Sequence, residues 1–279
     1  MTNMKAGKIL LIILLIGSVG YSQDANFHVY LSFGQSNMEG HAEFEAQDSL
    51  VNDRFQVLQS VDCPELGRQA GQWYPAVPPL SRCDTGLTPT DYFGRTLVQN
   101  LPENIKVGVI NVAVGGCKIE LFDKEDYNNY VDHAPDWMLP AIQKYDGNPY
   151  GHLVELARKA QEKGIIKGIL LHQGESNTGD AAWPQKVKAV YDNLIKDLDL
   201  DPEKVPLLAG EMVSEEQGGK CASMNSIVAT LPQEIPNAHI VSSKGCQAVK
   251  DGLHFSAAGY RKLGQRYGEK MLSIIQSGK

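Results

Sequence analysis

Five apolar runs decide the architecture before any motif is considered. FHVYLSF (27–33), KVGVINVAV (106–114), IKGILLHQ (166–173), VPLLAGEM (205–212) and HIVSS (239–243) are nearly continuous in apolar residues rather than alternating. Strands of that kind are covered on both faces, as in a parallel sheet. Parallel neighbours need long crossovers, and helical periodicity stands between several of the runs. Leu153, Leu156, Ala157 and Ala160 recur at i, i+3, i+4 and i+7, with Gly164 positioned to end that helix. Val187, Val190, Tyr191, Leu194, Ile195 and Leu198 repeat the pattern, and a last helix is expected from Ala257 to Ile275 behind Ser256 as N-cap. Strands alternating with helices predict a doubly wound, three-layer α/β fold around a mainly parallel sheet.

Two stretches fall outside the alternation. Residues 41–89 read as irregular and are rich in Pro, Gly and Cys. Residues 119–150 carry Phe122, Tyr127, Tyr130, Trp137, Tyr145 and Tyr150 among prolines and acids. Loops of this length in a compact domain are usually functional or disordered, and their aromatic content argues against disorder. No internal repeat, linker or low-complexity tract divides residues 23–279, which are read as one domain.

Residues 1–22 are set apart. Lys5 and Lys8 precede the apolar run ILLIILLIG (9–17), and small residues at Gly20 and Ser22 follow. This is the pattern of a secretory signal peptide, and the run is too short to span a bilayer, which takes about 20 residues. No Cys follows it to accept a lipid. The expected address is secreted or periplasmic, with no membrane attachment after cleavage. Removing the segment takes away two lysines and no acid, so the net charge moves from −7 to −9. An acidic body is a poor partner for nucleic acid or anionic lipid. Oligomeric state is left open. All five cysteines lie in the remaining chain, and an odd count leaves one over. Cys63 with Cys83 and Cys221 with Cys246 bracket loop-like stretches and are the expected pairs, leaving Cys117 as the thiol.

Open parallel sheets bind ligands at the carboxyl ends of their strands, so the residues just after each run are the place to look for chemistry. The first run exits into Gly34-Gln35-Ser36-Asn37-Met38, and the second into Gly115-Gly116-Cys117. The third ends in His172-Gln173-Gly174-Glu175-Ser176-Asn177. The fifth is succeeded, just before the last helix, by Asp251-Gly252-Leu253-His254-Phe255-Ser256. Each has a plain structural explanation: Ser36 as a helix cap, the glycine pair as a turn, His172 and Glu175 as a buried polar pair, Asp251 as a cap of the last helix. Together they hold what ester hydrolysis needs. A serine hydroxyl needs a base, and the base needs a carboxylate to fix its tautomer. Asp251 and His254, three residues apart in a turn, can supply both to Ser36. Donors for a developing oxyanion are the Ser36 N–H, the N–H of Gly115 or Gly116, and the Gln173 amide. The common nucleophile elbow G-x-S-x-G is excluded, because Met38 stands where its second glycine belongs. Metal catalysis is not expected, for there is no H-E-x-x-H and no His/Cys cluster at ligand spacing. No cofactor is expected either, since neither a P-loop nor G-x-G-x-x-G occurs.

The order GQSNM, AVGG, HQGES and D-x-x-H-F-S-x-x-G resembles the SGNH hydrolase superfamily across roughly residues 27–270. More narrowly it resembles the branch holding sialate O-acetylesterases and the acetylxylan esterases of carbohydrate esterase family six. The resemblance implies a flavodoxin-like three-layer fold and metal-free removal of O-acetyl groups from a carbohydrate substrate. It assigns Ser36 as nucleophile, a glycine of the pair as oxyanion donor, and His254 with Asp251 as base and partner. Two departures stand out. Gln35 replaces a usual Asp, and HQGE replaces an Asn-bearing block, so Gln173 is assigned the Asn role. Gln35, Asn37 and His172 are expected to support the site, and Glu175 is a rival partner for His254. Transfer of acetyl between sugars, action on lipid esters, and noncatalytic carbohydrate binding are the competing readings.

Overall fold

The computed structural model describes residues 23–278; the expected signal peptide, residues 1–22, lies outside the described residues. The five expected strands are present as β1 (Phe27–Gly34), β4 (Lys106–Ala113), β5 (Ile165–His172), β6 (Leu207–Gly210) and β7 (Ala238–Val241). β6 is shorter than its apolar run. Pro206 has no N–H for the ladder, and pairing with β5 begins at Leu207. Two further strands, β2 (Phe55–Leu58) and β3 (Trp73–Pro75), come from the stretch read as irregular. The order across the sheet is β3-β2-β4-β1-β5-β6-β7. Every pairing is parallel except that of β3 with β2.

Side chains of β1 alternate between two cores. Val29, Leu31 and Phe33 face one side and Tyr30 the other, all fully buried. On the first side lie α3 (Pro149–Gln161) and α4 (Trp183–Asp197), which bury Leu153, Ala157, Val187 and Leu194. On the second lie α2 (Pro89–Asn100) and α5 (Ala257–Ser277), with Phe93, Leu97, Tyr260 and Tyr267 against the sheet. The result is the three-layer α/β fold with a mainly parallel sheet. Ser256 caps α5 by accepting from the Gly259 N–H at 3.2 Å. The remaining helix that bears on the site, α1 (Ser36–Glu39), is a single turn at the exit of β1.

The expectation for the aromatic segment is only partly met. Phe122, Tyr145 and Tyr150 belong to the core on the α3 side, because the segment folds down onto the sheet; Trp137 is 67% exposed. The cysteine expectation needs a correction. Cys63 and Cys83 form a disulfide, whereas Cys221 and Cys246 do not, and both are thiols alongside Cys117. Cys221 packs against the core on the α3 side of the sheet and Cys246 lies within the core on the α5 side. The two thiols belong to different cores and are not paired.

Candidate active site

The chain crosses from one half of the sheet to the other between β4 and β5, which lie on either side of β1. That reversal is the switch point where an open α/β sheet leaves a crevice at its carboxyl edge. β1, β4 and β5 there release Ser36, Gly115-Gly116 and Gln173–Asn177.

β1 ends in Gly34 with φ 152°, where a Cβ would sit 2.1 Å from the His172 carbonyl oxygen. Only glycine permits this approach of β1 to β5. Gln35 then takes the N-cap position of α1 without a side-chain cap bond, and Ser36 is the first residue of the helix. Ser36 is therefore not a cap. Its Oγ lies 2.8 Å from Nε2 of His254.

The segment carrying His254 is a tight turn closed by backbone bonds from Val249 N–H to the His254 carbonyl and from Ser256 N–H to that of Gln247. Asp251 sits at its tip. Oδ1 accepts from the N–H groups of Leu253 (2.7 Å) and His254 (3.0 Å), and Oδ2 lies 2.6 Å from Nδ1 of His254. Partial burial alone would raise the Asp251 pKa, but these bonds and the His254 ring bring it down to about 2. The carboxylate is thus ionised across the neutral range.

Glu175, the rival acid, has different partners. Its Oε1 accepts from Nδ2 of Asn37 at 2.5 Å and lies 3.8 Å from Nδ1 of His172. Burial lowers the His172 pKa, so that ring is neutral and the contact is no ion pair. His172 itself reaches the Glu211 carbonyl through Nε2 at 3.1 Å. Asn37 is fully buried and saturated. Besides Glu175 its Nδ2 donates to the Leu253 carbonyl (2.9 Å), and Oδ1 accepts from Tyr260 Oη (2.7 Å) and the Phe255 N–H (3.3 Å). It ties the turn of Ser36 to the turn of His254.

Of the four expected oxyanion donors, two are already engaged. The Gly115 N–H donates to Oε1 of Glu39 at 2.8 Å. The buried Gln173 amide donates to Asn177 Oδ1 (2.7 Å), Gln35 Oε1 (3.1 Å) and the Cys117 carbonyl (3.3 Å), while its oxygen accepts from the Trp183 indole. Its longer side chain reaches past the crevice into the core, which corrects its assignment as a substrate donor. Gln35 is the hub of that region, since its Oε1 also accepts from the Gly174 and Ser176 N–H groups. The N–H groups of Ser36 and Gly116 have no acceptor among the described residues. Gly116 adopts φ 71°, which keeps its backbone bare toward the crevice.

Several neighbours escape sequence reasoning. Glu39 carries an ion pair with Arg82 at 2.7 Å in addition to the Gly115 bond, and Arg82 also donates to the Ala113 carbonyl. His41, just beyond the GQSNM signal, stacks on His254 with ring centroids 3.7 Å apart and planes 14° from parallel. Its place directly after the motif was the one available hint. A cleft of about 650 Å³ opens beside Gly116 and Ser176 and is lined by Tyr130, Trp137 and Met138. A second, of about 480 Å³, opens beside Glu39, His41 and Arg82.

Among the described residues, His41, Asp251 and His254 bring one potential metal ligand each within 4.8 Å of one another. His254, however, already uses Nδ1 on Asp251 and Nε2 on Ser36. The two rings lie in nearly parallel planes, so their in-plane lone pairs do not converge on one ion. The second such group, Cys63, Glu65 and Cys83, has its thiols tied up in the disulfide. Nor is any described helix long and apolar enough to cross a membrane.

The fold has counterparts among solved structures. A protein from Arabidopsis thaliana aligns at TM-score 0.68 and 20% identity, over 90% of this chain and 99% of that one. NanS aligns at 0.66 and 16%, over 92% and 99%. A carbohydrate acetylesterase from Xanthomonas citri aligns at 0.62 and 17%, over 90% of this chain and 57% of its own. These likenesses are of fold, a three-layer α/β sheet. Residues 26–273 match the family described as carbohydrate esterase, sialic acid-specific acetylesterase, so the chain is a carboxylic ester hydrolase and belongs to that family.

Proposed function

We propose that this protein is a secreted or periplasmic carbohydrate O-acetylesterase working through Ser36, His254 and Asp251. The observation that carries the reading is the relay from Ser36 Oγ to His254 Nε2 (2.8 Å) and from His254 Nδ1 to Asp251 Oδ2 (2.6 Å). In this mechanism His254 takes the Ser36 proton as Oγ attacks the acetyl carbonyl carbon, and Asp251 stabilises the imidazolium. The oxyanion is received by the Ser36 and Gly116 N–H groups. Collapse returns the proton from His254 to the departing sugar hydroxyl, leaving acetyl-Ser36. Water, deprotonated by His254, then releases acetate and restores the serine. Asp251 rather than Glu175 is the triad acid, because it alone bonds the imidazole.

The sugar is accommodated by the cleft beside Gly116, where exposed Trp137 and half-buried Tyr130 offer ring faces. The family, described as carbohydrate esterase, and the Xanthomonas citri carbohydrate acetylesterase, which shares the fold, add weight to a sugar ester as substrate. The Cys63–Cys83 disulfide fits an oxidising compartment, in keeping with the expected signal peptide.

The test is acetate release by the mature protein from a panel of acetylated sugars, run beside Ser36→Ala. The wild type should release acetate. The Ser36→Ala protein should keep its circular dichroism spectrum and fall to the residual rate that donors and binding alone provide, some 10³–10⁴ above water. A folded Ser36→Ala protein with near-wild-type turnover would end the proposal.

A further inference from the structure

His41 has no part in the relay, yet it lies on the face of the ring that does the proton transfer. Backbone bonds hold it on both sides. The Gly86 N–H donates to the Gly40 carbonyl (2.8 Å) and the Leu87 N–H to that of Ala42 (2.7 Å). The stack, with centroids 3.7 Å apart, thus comes from a fixed segment against a fixed turn.

The relay makes this contact matter. His254 is held in its plane by Asp251 at one nitrogen and Ser36 at the other. Once Ser36 is acetylated, the Ser36 bond is gone and the ring is free to tilt about its Asp251 contact. A ring face packed against it prevents that. We propose that His41 is a positioning residue for the base: as a neutral ring stacked on His254 it holds the His254 plane through the acetyl-enzyme stage. This rests on the esterase reading above.

The charged groups facing His41 are His254 and Asp251 from the turn before α5, Glu39 and Glu43 from its own segment, and Arg82 and Asp84 across the adjoining cleft. Partial burial and the His254 charge lower the His41 pKa, and the Asp251 and Glu39 carboxylates oppose this. A proton on His254 thus disfavours one on His41, and the stacked ring stays in its neutral form while His254 carries the proton of the reaction.

The experiment compares the full mature protein with His41→Phe and His41→Ala. Readouts are kcat and KM on a chromogenic acetate, and the His254 ring signals in proton NMR. His41→Ala should lower kcat about 10-fold with KM little changed, short of the 10² that a 1 Å misplacement costs. His41→Phe keeps a ring on the face of His254, so its kcat should stay near wild type. In the NMR spectrum the His254 ring protons should lose the shift imposed by the stacked ring in His41→Ala and keep a ring-current shift in His41→Phe, a readout that holds even if the acetate is not a substrate and the esterase reading fails. Unmoved His254 ring signals in His41→Ala, or a wild-type kcat in that variant, would overturn the proposal.

Discussion

The sharpest consequence of the site geometry concerns the two acids, because the structure assigns their partners differently. Consider Asp251→Asn. Oδ1 of Asp251 accepts two backbone N–H groups, at 2.7 and 3.0 Å, and Oδ2 faces Nδ1 of His254 at 2.6 Å. An asparagine keeps its carbonyl oxygen on the two backbone donors, since the opposite flip would set an NH₂ against both. The amide NH₂ then points at Nδ1. Two donors cannot meet, so the imidazole adopts the other tautomer, with its proton on Nε2 facing Ser36. In that state His254 donates to Ser36 and cannot accept its proton. The same substitution in a serine protease costs about 10⁴ in kcat, which is about 5 kcal/mol of transition-state stabilisation.

Glu175→Gln has no such consequence. A glutamine oxygen can go on accepting from Asn37, and its NH₂ takes the position of Oε2, which has no partner among the described residues. A loss of about 10-fold is expected, at the low end of the range known for groups behind a metal ligand. The assay is initial-rate hydrolysis of a chromogenic acetate, with circular dichroism to confirm folding of both variants. A Glu175→Gln protein more impaired than Asp251→Asn would refute the tautomer argument and make Glu175 the partner of the base. Equal, severe losses would mean that the two acids share the role.

Other expectations can be checked in parallel. Asn37→Ala should destabilise the protein by about 3–5 kcal/mol in urea unfolding, since buried groups on Glu175 and Tyr260 lose their partner; an unchanged midpoint would show that the tie is dispensable. Asp91 in α2 is fully buried, and desolvation raises its pKa to about 7, above its unfolded value of 3.8. Its favourable contribution is therefore complete at low pH and is lost as pH rises from about 4 to about 7. Asp91→Asn should remove that part of the pH dependence of the thermal midpoint, and an identical pH profile in the variant would contradict the assignment. For the thiols, Cys117 and Cys246 are buried and Cys221 is not. Burial raises the pKa of Cys117 well above its usual value. Native alkylation should label Cys221 alone, and unfolding without reductant should expose all three; labelling of native Cys117 would be inconsistent with its burial.

Much of this protein is determined by sequence alone. The apolar runs carry enough hydrophobic pattern to mark five strands and the layers that cover them, because burial on both faces leaves a local signature. The exits of those strands mark the crevice, and Asp251 with His254 is legible because three residues of turn suffice to join them. β2, β3 and α2 were hidden for different reasons. β3 is three residues long at the sheet edge. α2 is announced only by Thr88, Pro89 and Asp91, a capping box inside a stretch dominated by turn residues.

What the tertiary structure alone decided depends on contacts between residues far apart in the chain. Asn37 reaches Leu253 across 216 positions, and Arg82 meets Glu39, which holds the Gly115 N–H. Gln173 turned inward because the reach of its side chain carries the amide to Gln35 and Asn177, a matter of length that no motif encodes. Spacing made Cys63–Cys83 and Cys221–Cys246 look alike, since each pair closes a loop of similar length. Only the tertiary packing tells them apart: Cys221 is drawn against one core and Cys246 into the other, so the two thiols are not brought together.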